Sequence, residues 1–172
     1  ECVIVVSPMV EIKVIFEHSI VVPETSETVF SILADVPDSV AHFPDLEDFA
    51  PHGQGYLWTL KKSGFGKFTT QLSYACIYRA EKDSLVIDWE PVKGVGNASV
   101  RGRWKIQPQK VGCRFSMYNE TLCTIAAPRT LRRFVEPVVK KENHKLLNNY
   151  LLNLEKTFTG GNGRQNTWSF TD

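Results

Sequence analysis

The chain has 172 residues, which suits one domain and fits two only awkwardly. At that length roughly 70% of the unfolded surface is buried on folding, and a composition of 42% hydrophobic and 11% aromatic residues excludes wholesale disorder. Twenty Lys and Arg against 19 Asp and Glu leave a net charge of +1, which argues against a nucleic-acid partner, since such domains carry a clear basic excess.

Residues 1–9 read as an N-terminal extension. The stretch Cys2 to Pro8 is apolar, but no basic stretch precedes it and it is too short for the core of a signal peptide, while Met9 fits a start. No apolar run approaches the ~20 residues of a membrane span, so a soluble protein is expected. The first strand is read at Glu11–Val22, ended by Pro23. Thr25 or Ser26 then caps a helix, with Glu27 at its positive end and Val29, Phe30, Leu33 and Val36 at helical spacing. Pro37-Asp38 restarts a short turn through His42, and Pro44 stops it.

From Phe49 onward the period changes to two. Strands are expected at 56–62, at 67–80 after the Ser63-Gly-Phe-Gly turn, at 85–91, at 98–106 and at 113–125. Short turns between them imply an antiparallel meander. The clearest alternation lies in 98–106, where Val100, Trp104 and Ile106 share one face and Arg101, Arg103 and Lys105 the other. A long helix over 130–158 follows, with Leu131, Phe134, Val135, Val138, Val139, Leu146, Leu147, Tyr150, Leu151, Leu154 and Phe158 at three- and four-residue steps. Pro137 either separates a lead-in turn from it or kinks it, and Gly160-Gly161 ends it. The polar remainder, within 159–172, reads as a disordered tail, leaving 10–158 as the domain.

This order resembles the START-like (SRPBCC, helix-grip) superfamily, which holds polyketide cyclase/dehydrase-like, coenzyme-Q-binding and lipid-transfer proteins. The resemblance rests on Ile20-Val-Val-Pro-Glu-Thr-Ser-Glu-Thr-Val-Phe-Ser-Ile-Leu-Ala-Asp, and on Val100-Arg-Gly-Arg-Trp-Lys-Ile-Gln-Pro with Gly112 in the next turn. It implies an α+β fold in which a curved antiparallel sheet of about six to seven strands grips the C-terminal helix, with two short helices after the first strand. These motifs identify a fold and not a ligand.

A sheet closed around a helix leaves a volume that side chains need not fill. The residues expected to line it are Trp58, Thr70, Leu72, Tyr74, Ile87, Trp89, Val100, Trp104, Phe115, Met117, Asn119, Phe134, Val138 and Tyr150. Tyr56, Leu60, Phe68, Leu85, Ile106 and Thr121 share their faces. Buried Trp, Tyr and Asn need polar partners, so a ligand is one reading and a filled core the other. The leading expectation is a carrier or sensor of a hydrophobic small molecule: a lipid, isoprenoid, quinone or polyketide-like compound. An aromatase/cyclase-type enzyme and a protein-interaction module with a filled core are the alternatives. No pair of inward titratable residues appears at strand spacing, so no catalytic residue is assigned.

His42, Asp45, Asp48 and His52 fall in what reads as a loop near the cavity mouth, where they suit a solvated surface better than a metal or acid–base site. Asp88 and Glu90 should face solvent. Lys61-Lys-Ser-Gly-Phe-Gly-Lys lacks the spacing of a phosphate-binding loop. No metal and no cofactor is expected. Cys2, Cys76, Cys113 and Cys123 form no C-x-x-C pair and match no zinc spacing, and Cys113 and Cys123, ten residues apart on one strand, would be about 33 Å apart. They read as apolar fillers in the cytoplasm or another reducing compartment. Asn97-Ala-Ser and Asn119-Glu-Thr match the glycosylation pattern by chance. The basic run Arg129, Arg132, Arg133, Lys140, Lys141 and Lys145 marks a solvated helix face, or one that touches anionic membrane transiently. Oligomeric state has no sequence signal.

Overall fold

The computed structural model describes residues 8–65 and 68–160. Most of the expected extension, Cys2, and the expected tail from residue 161 onward lie outside the described residues, as do the side chains of Phe65 and Phe68. In chain order the elements are β1 (Met9–Val22), α1 (Ser26–Ala34), α2 (Val36–Val40), β2 (Leu46–His52), β3 (Gly55–Leu60), β4 (Ser63–Phe65), β5 (Phe68–Thr70), β6 (Ser73–Glu81), β7 (Val86–Pro91), β8 (Ala98–Pro108), β9 (Cys113–Ala126), a single 3-10 turn at Arg129–Leu131, and α3 (Arg132–Phe158).

Seven strands form one sheet in the order β1-β9-β8-β7-β6-β3-β2, every pair antiparallel, and β4 and β5 form a separate two-stranded ribbon. The longest pairing is that of β1 with β9, which runs from Met9 opposite Ala126 to Val22 opposite Cys113. The first and last strands of the chain are thus neighbours, while β1 and β2 form the two edges of the sheet.

The local chemistry explains the elements. Thr25 caps α1, its hydroxyl accepting from the Thr28 N–H at 3.2 Å. Asp35 caps α2 in the same way from the Asp38 N–H. The β8–β9 turn closes through Gly112, whose φ of 72° is a conformation that a side chain resists. Along β8, Val100, Trp104 and Ile106 are buried while Arg101, Arg103 and Lys105 are exposed, in the register read from the alternation.

Four elements differ from the sequence reading, the first being Ser63–Phe65, read as part of a turn, which pairs with β5 as β4. Residues 46–52, read as a loop, form β2, because an edge position tolerates Pro51 and polar side chains on a strand that needs only one neighbour. The strand read at 67–80 is broken at Gln71-Leu72. Asn97 holds that break: its side chain accepts from the Ser73 N–H at 2.9 Å and donates to the Gln71 carbonyl at 2.9 Å. The lead-in turn ends before Pro137, and α3 continues through the proline in its second turn, forgoing one backbone bond.

The buried side chains fall into two clusters. The larger joins α1, α2 and the second half of α3 to the middle of the sheet, through residues such as Leu33, Trp58, Trp104, Phe115, Leu151 and Leu154. The smaller lies under the start of α3 and contains Val10, Ile12, Val14, Cys123, Ile125, Ala127 and Val135. Leu72 and Ala98 touch both. The core is thus divided, and the division creates the site described next.

Candidate functional site: a two-chamber cavity under the long helix

An outer chamber of about 290 Å³ separates the two clusters. Val14, Cys123 and Ile125 form one wall, Leu60, Leu72 and Thr121 another, and Val135, Val138, Val139 and Leu146 of α3 the roof. Its rim carries exposed Asp45, Lys61 and Glu142, together with Ser63, Gly64 and Thr69 of the β4–β5 ribbon, so this is the mouth. An inner chamber of about 50 Å³ lies deeper. The two share Leu60, Leu72, Thr121, Asn143 and Leu146, so they lie side by side along these residues.

Aromatic rings build the inner chamber. Trp58 stacks on Tyr74 at 5.9 Å between centroids and meets Phe43 edge-on at 5.2 Å. Trp104 meets Tyr150 at 5.9 Å and Trp89 at 6.0 Å. Such tilted and offset pairs fix ring planes as well as burying area. Polar atoms among them are largely paired. The Trp89 ring N–H donates to Asn119 Oδ1 at 3.3 Å, and Asn119 Nδ2 donates to Thr121 Oγ1 at 3.0 Å. Ser39 and Tyr150 share a short hydroxyl–hydroxyl bond that ties α2 to α3.

Among the described residues no Asp, Glu, Lys, Arg or His lines the inner chamber. Its ionisable groups are Tyr74, Tyr78 and Tyr150, and burial pushes all three phenols upward, so they remain neutral at physiological pH. The nearby Cys76 thiol is pushed up to about 12 by burial, and donates to the Val100 carbonyl. The chamber therefore accommodates neutral groups and penalises charged ones.

Of the residues expected to line a cavity, Trp58, Tyr74, Trp89, Val100, Trp104, Met117, Asn119 and Tyr150 line the inner chamber. Thr70 and Val138 line the outer one, and Leu72 both. Ile87 and Phe115 are buried in solid core; Phe115 packs between Trp104 and Phe158. Phe134 is a correction: it is 52% exposed, under the Arg133 guanidinium at 4.7 Å. The inward stripe of α3 runs Val135, Val139, Asn143, Leu146, Tyr150 and Leu154, and Phe134 stands one residue, about 100°, off it. Extrapolating the stripe backward from Leu147, Tyr150, Leu151 and Leu154 would have chosen Val135. Asn143 and the β1 wall residue Val14 went unread, the first because a lone amide on a helix looks like solvated surface.

The four His and Asp residues read near the mouth do not converge. Asp48 and His52 are exposed on β2, and the His42 ring bonds Thr157 Oγ1 through Nε2 at 2.9 Å. Among the described residues no group of three or more His, Cys, Asp or Glu is placed to hold a metal ion. Among the same residues no helix is long and apolar enough to cross a membrane.

No protein-family model and no curated protein sequence matches the chain. Solved structures do. An aromatase/cyclase from a Streptomyces species matches with a TM-score of 0.56 at 17% identity, over 88% of this chain and 99% of that one. A START superfamily protein from Mycobacterium smegmatis matches with a TM-score of 0.57 at 16% identity, over 84% and 96%. Norcoclaurine synthase from Thalictrum flavum matches with a TM-score of 0.57 at 12% identity, over 87% and 96%. With seven antiparallel strands curved against one long C-terminal helix, this chain has the START-like, helix-grip fold.

Proposed function

We propose that the protein binds a hydrophobic small molecule, of the lipid, isoprenoid, quinone or polyketide-like kind, in the cavity between the sheet and α3. The observation that carries this reading is the divided core: two apolar clusters that would gain by closing together are held apart by a chamber of about 290 Å³ with an apolar roof. That volume is close to the lower end for ligand sites, roughly 300 Å³. An unfilled apolar space of that size forgoes dispersion contacts all along its lining. A ligand restores them, and its own desolvation supplies the driving force.

Phe134 supports transient contact with a membrane surface during loading. It is an exposed aromatic ring next in sequence to the roof residue Val135, flanked by Arg129, Arg132 and Arg133 at the start of α3. That arrangement pairs an apolar anchor with cations that favour anionic lipid headgroups.

The test is a Val138→Trp substitution read by N-phenylnaphthylamine, whose fluorescence rises in an apolar site. Val138 lies half-buried in the roof of the outer chamber, so an indole there fills the space. The parent protein is expected to bind the probe and the variant to lose at least tenfold in affinity, with its melting temperature within a few degrees of the parent. Absence of probe binding by the parent, with an overpacking cost of about 1–3 kcal/mol in the variant, would mark the core as filled and retire this reading.

A further inference from the structure

Among the described residues, two buried side-chain polar atoms lack a hydrogen-bond partner: Trp58 Nε1, a donor, and Asn143 Oδ1, an acceptor. They come from opposite sides of the fold, β3 and α3, yet both side chains line the same inner chamber. Trp58 is 5% exposed. A contact from its indole to the Tyr78 phenol opposes the upward push that burial gives that phenol, but the ring N–H does not reach the phenol oxygen in hydrogen-bonding geometry. Elsewhere in the chamber wall Trp89, Asn119 and Thr121 answer one another in a chain. Leaving a buried donor and a buried acceptor unmade forgoes the hydration each would have in water with nothing in return. Their coincidence in one chamber is therefore a directional signal.

Resting on the ligand-binding reading above, we propose that the cargo is an uncharged amphiphile that enters polar end first, its head group accepting from Trp58 Nε1–H and donating to Asn143 Oδ1. A hydroxyl performs both roles, as does a neighbouring carbonyl and hydroxyl. The inner chamber, about 50 Å³, admits only such a small head, and the apolar body occupies the outer chamber. A carboxylate or phosphate head is excluded, because among the described residues no cationic side chain lines the inner chamber to offset its desolvation. The charged residues Asp45, Lys61 and Glu142 stand at the mouth, where the tail end of the cargo emerges.

Three ligands of equal chain length separate the possibilities: decanol, decanoate at pH 8, and decane, each competing against N-phenylnaphthylamine. Decanol is expected to displace the probe at a concentration at least tenfold below either of the others. The Trp58→Phe and Asn143→Leu variants should each shrink the decanol-to-decane preference by about tenfold, since each removes one partner of the hydroxyl. Asn143 is only partly buried, so Asn143→Leu decides the matter alone should Trp58→Phe not fold. Equal displacement by all three, or a decanol preference that survives Asn143→Leu, overturns the proposal: water then satisfies the two atoms. Probe binding without decanol preference leaves the carrier reading standing, whereas no probe binding at all removes the carrier reading itself.

Discussion

Gly102 of β8 lies directly opposite Trp89 of β7, and the space of its missing side chain is the space the indole occupies. A Cβ built at Gly102 overlaps the Trp89 ring and the Tyr118 carbonyl oxygen. The glycine sits on the inward face between Val100 and Trp104, where the alternation would otherwise place a side chain. The strand thereby admits the indole that donates to Asn119 at the back of the inner chamber. A Gly102→Ala change is expected to destabilise the fold by about 1–3 kcal/mol through overpacking, read by urea denaturation. Combining it with Trp89→Phe should recover part of the loss, because the overlapping ring atoms are gone. Purely additive losses in that double-mutant cycle would contradict the direct contact.

Asp88 and Arg103 face each other on the solvent side of the β7–β8 pair, in a two-bond arrangement at 2.6 and 2.9 Å. The Arg103 hydrogen bond holds the Asp88 carboxyl below its ordinary range. A carboxyl lowered on folding stabilises the protein above its unfolded pKa, and loses that contribution as pH falls through the folded value. Arg103 is largely exposed and the pair is screened, so its worth is about 0.2–1 kcal/mol. Asp88→Asn should therefore reduce stability at pH 7 in low salt, and the difference from the parent should shrink as pH falls below the ordinary carboxylate range or in 1 M salt. A gap of the same size at pH 2 would show that Asp88 acts otherwise than through its charge.

Cys76, Cys113 and Cys123 are buried and free, and burial raises all three thiols, Cys76 to about 12 and Cys123 to about 11. The thiolate is the reactive form. In a Cys2→Ser background, an aromatic disulfide reagent at pH 8 should find these thiols unreactive in the native protein and fully reactive in 6 M guanidinium. Rapid native reaction at one of them would mean that the sheet opens locally on that timescale. A ligand in the outer chamber should slow any residual reaction at Cys123 selectively, because Cys123 is part of its wall while Cys76 and Cys113 are not.

The sequence carried the sheet's alternation without ambiguity wherever one face is buried. In β8 a shift of one residue would have buried three cations, so Val100, Trp104 and Ile106 had one face available to them. It carried the order of elements as well, through caps such as Thr25 and the turn at Gly112, since these act within a few residues. Most of the inner chamber followed from those faces, down to Asn119 and Tyr150. What it did not carry depends on contacts distant along the chain. The strand identity of 46–52 comes from β3 beside it, and the bend at Gln71-Leu72 from Asn97, more than twenty residues away. That amide and Asn119, both within glycosylation-like triplets, are engaged inside the fold. The choice between Phe134 and Val135 is a rotation of about 100° at the end of a helix, where the apolar pattern allows either and packing against β1 and β9 selects the valine. The split of the core into two clusters, and the placing of Trp58 and Asn143 in the wall of one chamber, exist only once the sheet is laid against the helix. Periodicity assigns a side chain to a face; whether the facing surfaces then touch or leave a chamber is decided by the curvature of the sheet, which no single segment encodes.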